Sequence, residues 1–146
     1  MRVSVVVEVR PPGIRIDRLR RLVRHVLRRE QSRREPAARA ATVTVALVSD
    51  GTIRRLNRRF LGKNRATDVL AFPGDPPHLG DVVISVPRAR MQARRAGHAP
   101  AVEVALLAAH GTLHLLGYDD RSPRQRGNMW RRQVRLLGEL GMRVRR

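Results

Sequence analysis

Apolar residues recur along this chain with two alternating periods, which divide it into strands and helices. Val3 to Val9 is β-branched and closes at Pro11-Pro12-Gly13, which predicts a first strand and a turn. From Asp17 to about Arg33, Leu19, Leu22, Val23, Val26 and Leu27 return at helical spacing among arginines, which predicts an amphipathic helix with Asp17 as its N-cap. His25 lies in that helix with no acid or histidine at matching spacing and reads as an ordinary surface or boundary residue. Gln31 to Ala41 is a polar, alanine-rich connection, and Thr42 to Val48 is a second β-branched run. Ser49 or Asp50 can then cap a short helix carrying Ile53, Leu56 and Phe60 on one side.

A basic loop, Gly62 to Thr67, leads into Asp68-Val69-Leu70-Ala71-Phe72, an apolar run stopped by Pro73. Gly74 to His78 must turn, and Gly80 to Val86 forms a fourth strand able to pair with the third as a hairpin. Pro87 to Ala96 predicts a basic helix ended by Gly97. Pro100 fits the first turn of a helix that is apolar nearly all round, and such a helix is buried. The segment from Ser122 onward carries Met129, Val134, Leu136, Leu137 and Leu140 as a last, strongly basic helix. No internal repeat or linker interrupts the pattern, so residues 1–146 read as one domain with a single core.

Composition narrows the chemistry. With no cysteine, disulfides and thiolate metal sites are excluded, and histidine with carboxylate is the remaining metal chemistry. A formal net charge of +19 points to a polyanionic partner, with nucleic acid first, because each neutralised phosphate releases counterions. Lys63 is the one lysine against thirty arginines, so part of that charge reflects compositional bias. Aromatic stacking is disfavoured as the main mode of recognition, since Phe60, Phe72, Tyr118 and Trp130 are the chain's whole aromatic complement; contact with backbone phosphates is expected instead. No apolar run approaches the roughly 20 residues of a membrane span and no signal peptide pattern opens the chain, which sets a cytoplasmic location as the expectation.

The chemistry concentrates in His110-Gly111-Thr112-Leu113-His114-Leu115-Leu116-Gly117-Tyr118-Asp119-Asp120. Residues i and i+4 share a helix face, so His110 and His114 can offer imidazole nitrogens to one point. Gly117 can stop the helix in a left-handed conformation, and the chain can fold back to supply a third ligand from Asp120 or Asp119. Three protein ligands and one water make the usual catalytic zinc site. The alternative is a pair of core histidines satisfied by backbone or carboxylate partners; the apolar flanks favour a metal, because an unpartnered buried imidazole pair is costly. Zinc proteases with this histidine spacing carry glutamate after the first histidine as general base, and Gly111 stands there, which disfavours peptide hydrolysis.

Thr67-Asp68-Val69-Leu70-Ala71-Phe72-Pro73, then Gly80-Asp81-Val82-Val83-Ile84, then the histidine motif together resemble the YbeY family of ribosomal RNA maturation factors. The resemblance runs from about Leu47 through Met129. It implies a small α+β fold, a mixed four-stranded sheet packed with about five helices, and a buried metal-site helix. It also implies one zinc ion, single-strand-specific endoribonuclease activity, and partners in single-stranded RNA, rRNA and the ribosome or its subunits. Its setting would be rRNA maturation and ribosome quality control.

Two positions depart from the family pattern. The motif usually continues Gly-Tyr-Asp-His, so Asp120 stands where a third histidine is expected. Two histidines and a carboxylate do bind catalytic zinc, but the added negative charge makes bound water less acidic and leaves the metal's identity less certain. The same ligand set occurs in non-haem iron oxygenases, for which nothing else in the chain suggests a cosubstrate pocket. The second departure is Leu61, where the family commonly has an arginine that serves the phosphate; Arg58, Arg59, Lys63 and Arg65 are near enough to substitute in binding RNA.

The expectation is therefore metal-assisted phosphodiester hydrolysis with His110, His114 and Asp120 on zinc and those four basic residues on the RNA backbone. No general base is evident, and Glu103, two turns earlier on the same helix, is left unassigned. Asp68 and Asp81 read as strand-end carboxylates making local hydrogen bonds, and Thr67 as a cap or turn residue. The competing reading is a non-catalytic RNA-binding or ribosome-binding assembly factor whose metal is structural or lost.

Overall fold

A computed structural model describes residues 1–11, 13–31 and 41–145. The expected turn residue Pro12 and most of the connection between the first helix and second strand lie outside the described residues. Among the described residues nine elements follow one another: β1 (Arg2–Val7), α1 (Ile16–Gln31), β2 (Thr42–Val48), α2 (Asp50–Leu61), β3 (Val69–Pro73), β4 (His78–Ser85), α3 (Val86–Ala96), α4 (Pro100–Leu115) and α5 (Pro123–Glu139).

The four strands form one mixed sheet in the order β1-β2-β4-β3. β1 runs parallel to β2 and β2 parallel to β4, whereas β3 and β4 make the expected antiparallel hairpin. Parallel neighbours need a crossover, which α1 supplies between β1 and β2. Side chains alternate across the sheet: Val43, Val45, Leu47, Val82 and Ile84 join the main core, while Val48 and Val83 meet Ile53 of α2 on the opposite face. The main core is closed by α1, α4 and α5, and α2 covers only the β3–β4 side of the other face.

Boundaries moved where capping chemistry won over the apolar pattern. Val86 opens α3 rather than ending β4, because Ser85 is that helix's N-cap and accepts a hydrogen bond from the Arg88 backbone N–H. Asp17 sits in the first turn of α1, paired with Arg20 at 3.1 Å, rather than at its cap. Ser49 does cap α2. His25 bonds Glu139 of α5 at 3.0 Å, a partner 114 residues away that no local spacing could reveal.

Helix α4 passes between α1, α3 and α5 and lies on β3 and β4. Leu113, Ala108 and Val104 are wholly buried, and each large apolar side chain so placed contributes roughly 1.5–3 kcal/mol. Gly111 makes this packing possible: a Cβ built there would lie 2.5 Å from Val82 Cγ1 of β4. The residue that marked the absence of a protease base is thus required by helix-on-sheet contact.

Candidate metal centre

The end of α4 sets the site. The helix stops at Leu116, Gly117 takes φ 95°, the Gly117 N–H donates to the His114 carbonyl and the Tyr118 N–H donates to that of Leu113. This is the paired hydrogen bonding of a Schellman motif, and glycine is favoured at its left-handed position. The turn brings the Tyr118 carbonyl back over the last helical turn, 2.9 Å from His114 Nδ1. His110 Nδ1 faces Gln133 Oε1 of α5 at 2.8 Å.

Both Nδ1 atoms therefore meet oxygen acceptors, so each ring carries its proton on Nδ1 and turns a bare Nε2 lone pair inward. Those two Nε2 atoms lie 3.0 Å apart, and Asp120 Oδ2 is 3.4 Å from His110 Nε2 and 3.3 Å from His114 Nε2. Three electron-rich atoms facing one another repel unless a cation sits among them. Their separations match the roughly 3.3 Å between ligands of a tetrahedral ion with bonds of about 2.0–2.1 Å. The group could hold a metal ion, and among the described residues it is the one cluster of three such side chains. The three side chains remain 25%, 27% and 37% exposed, which leaves an open side for water or substrate.

Asp120 rather than Asp119 joins the cluster; Asp119 is exposed and turns toward Arg121. The loop carrying Asp120 is short because Ser122 caps α5 immediately, in a reciprocal capping box with Gln125. Arg126 reaches back to the Asp120 carbonyl at 3.4 Å. Behind the loop, the Tyr118 hydroxyl donates to buried Glu30 at 2.6 Å, Arg132 donates to both Glu30 oxygens at 3.0 and 3.1 Å, and the Arg132 guanidinium lies over the Tyr118 ring. This network ties α1 and α5 to the turn whose carbonyl orients His114. Nothing in local spacing could have found Glu30, Arg132 or Gln133, since their partners are far away in sequence.

A cleft of about 630 Å³ opens from His110 and Asp120 and is lined further along by Arg95, Arg126, Trp130, Glu103 and Asp68. Asp68 accepts a local hydrogen bond from the Val69 N–H at 2.8 Å, as expected at a strand end, and a distant one from Gln92 of α3 at 3.2 Å. Asp81 pairs with His78 at 2.9 Å. The four basic residues expected to hold RNA are all exposed, but none lines this cleft. Arg58 and Arg59 are at the end of α2, which packs on β3, β4 and α3, and they border a separate depression; Lys63 and Arg65 follow in the loop. Among the described residues Arg95 and Arg126 are the arginines that line the cleft with His110 and Asp120, and no motif marked them. Leu61, at the position of the family's arginine, is 51% exposed.

Two carboxylates away from the cluster have pKa values below the ordinary range. Glu139 is lowered mainly by its hydrogen bond with His25 and further by Arg29, and Glu8 by the Ser49 backbone N–H and the Thr52 hydroxyl. Both tie distant segments together at the surface.

Comparison with known proteins agrees with this geometry. The family model described as "Endoribonuclease YbeY" matches residues 8–141. The protein of that name from Thermus thermophilus is 41% identical over 142 residues, covering 92% of this chain and 98% of the relative. Its counterpart from Solibacter usitatus is 45% identical over 105 residues, covering 72% and 70%. That from Myxococcus xanthus is 47% identical over 108 residues, covering 68% of this chain but only 37% of the longer relative. The solution structure of TM1509 from Thermotoga maritima shares the fold, with a TM-score of 0.63 at 24% identity over 95% of this chain and 91% of that one. With its motifs in order, its sheet and helices in place, and a family match that spans nearly the whole chain, this protein belongs to the endoribonuclease YbeY family.

Proposed function

We propose that this chain is a zinc-dependent, single-strand-specific endoribonuclease, a single cytoplasmic domain acting in rRNA maturation and ribosome quality control on rRNA held in the ribosome or a subunit. The observation that carries the proposal is the convergence of His110 Nε2, His114 Nε2 and Asp120 Oδ2 on one point, beside a cleft lined by Arg95 and Arg126. Those three side chains would hold the ion. When bound, zinc supplies Lewis acidity toward a phosphoryl oxygen and a water of lowered pKa.

The protein's own residues prepare that chemistry. Gln133 and the Tyr118 carbonyl hold the two imidazoles in the tautomer that presents Nε2, which removes the cost of reorienting them when the ion binds. Arg95 and Arg126 offset phosphate charge along the cleft, while Arg58, Arg59, Lys63 and Arg65 grip the strand beyond it.

Metal analysis of protein purified without chelator, followed by cleavage of an unstructured RNA by wild type and His114→Ala, tests the reading. Stoichiometric zinc in the wild type, and loss of both zinc and cleavage in the variant, are expected. Bound zinc with equal cleavage by both proteins would overturn it in favour of a non-catalytic RNA-binding factor.

A further inference from the structure

Glu103 has no part in the proposed chemistry, yet it is an acid in the cleft of a chain whose other charges are overwhelmingly positive. Its side chain is only 6% exposed, and it bonds His98, itself 3% exposed, at 3.1 Å. The Arg145 backbone N–H donates to His98 Nδ1 at 3.3 Å, so Nδ1 is the acceptor and the proton sits on Nε2. His98 therefore donates to Glu103 Oε2, which leaves acceptor capacity on Oε1. A buried, oriented carboxylate repels phosphate and accepts hydrogen bonds.

In single-stranded RNA the Watson–Crick edges of the bases are free, and amino groups there are natural donors to a carboxylate. Glu103 and His110 are seven residues apart on α4, almost on one face and about 10 Å along the axis. A nucleotide next to the one whose phosphate meets the metal group falls in that interval. Exposed Arg95 and Arg126 line the same cleft and suit the sugar-phosphate backbone.

We infer that the cleft contains a base-specific subsite in which Glu103, held by His98, accepts hydrogen bonds from an amino-bearing base, guanine foremost, of a nucleotide flanking the scissile phosphate. Guanine places N1–H and its exocyclic N2 amino group side by side, matching Oε1 and the lone pair that His98 leaves on Oε2. Uracil has no amino group and sets carbonyl oxygens against the acid. The inference rests on the endoribonuclease reading for its substrate, but binding can be measured without cleavage.

Fluorescence anisotropy of chelated protein with unstructured oligouridylates carrying one guanosine, cytidine, adenosine, inosine or 2′-deoxyguanosine provides the test. Wild type is expected to bind the guanosine oligomer about 5- to 100-fold more tightly than all-uridine RNA, the range of a good bidentate base contact. Inosine, lacking the N2 amine, should lose most of the gain, and 2′-deoxyguanosine should keep it. Glu103→Gln should flatten the series. Equal binding of all oligomers by wild type would sink the inference whether or not the variant folds, and loss of the gain with 2′-deoxyguanosine would assign the contact to ribose instead. Base preference without cleavage would refute only the enzymatic reading, and cleavage without base preference only the subsite.

Discussion

Replacing Gly111 by alanine tests how closely the metal helix must lie on the sheet. The new Cβ would stand 2.5 and 3.1 Å from the two Val82 methyl carbons and 3.3 Å from Val82 Cβ. Val82 is fully buried and β-branched, so its methyls cannot swing aside, and α4 or β4 must shift. Overpacking of this kind costs about 1–3 kcal/mol, against a helix-propensity gain of about 1 kcal/mol for alanine over glycine. A 2.5 Å approach to an immobile methyl belongs in the upper part of that range, about 2–3 kcal/mol, so a net loss of about 1–2 kcal/mol follows, or roughly 2–8 °C in Tm for a chain of this size. Since His110 adjoins Gly111 and faces Gln133 across 2.8 Å, a shift of α4 should also weaken zinc binding. Urea denaturation of wild type, Gly111→Ala, Val82→Ala and the double variant forms a cycle. Val82→Ala should partly rescue Gly111→Ala, with a favourable coupling of about 1 kcal/mol or more. Equal stability of Gly111→Ala and wild type, or strict additivity, would show that the contact does not constrain the helix.

Three further outcomes are expected. Tyr118→Phe removes a 2.6 Å hydrogen bond to the buried Glu30 carboxylate and should cost about 1.5–3 kcal/mol in urea denaturation, with weaker zinc binding in a chelator competition; unchanged stability would remove Tyr118 from the support of the site. Asp120→His should tighten zinc binding in the same competition, and unchanged affinity would exclude Asp120 as a ligand. Glu139 has a folded-state pKa below its ordinary 4.5, so the stability it contributes is present above that value and fades as pH falls through the folded pKa. The difference in urea midpoint between wild type and Glu139→Gln should therefore be largest near neutral pH and shrink below pH 4.5, and a pH-independent difference would refute the linkage.

Much of the architecture was legible because local patterns and tertiary packing agreed. The β-branched runs became strands, the arginine-striped segments became amphipathic helices, and the apolar run from Pro100 became the buried α4. The apolar pattern carries β4 one residue too far, since Val86 suits a strand by type but follows Ser85, the N-cap of α3. The histidine pair and Asp120 were legible because they lie within eleven residues of one another around a glycine-stopped helix. Nearness to a motif singles out Arg58, Arg59, Lys63 and Arg65, while Arg95 and Arg126 line the cleft through the way α3 and α5 flank α4.

The sequence by itself therefore determined the order of elements, the polyanion-seeking charge and the three side chains able to meet at one ion, because spacing along a helix and a tight turn are local properties. Tertiary structure alone decided what makes that meeting productive. Gln133 selects the tautomer of His110, and Glu30 and Arg132 hold the turn whose carbonyl does the same for His114. Glu103 acquires a buried histidine partner at the cleft wall. Each of these depends on which faces α1, α3 and α5 turn toward α4, a matter of packing that no short stretch of chain encodes.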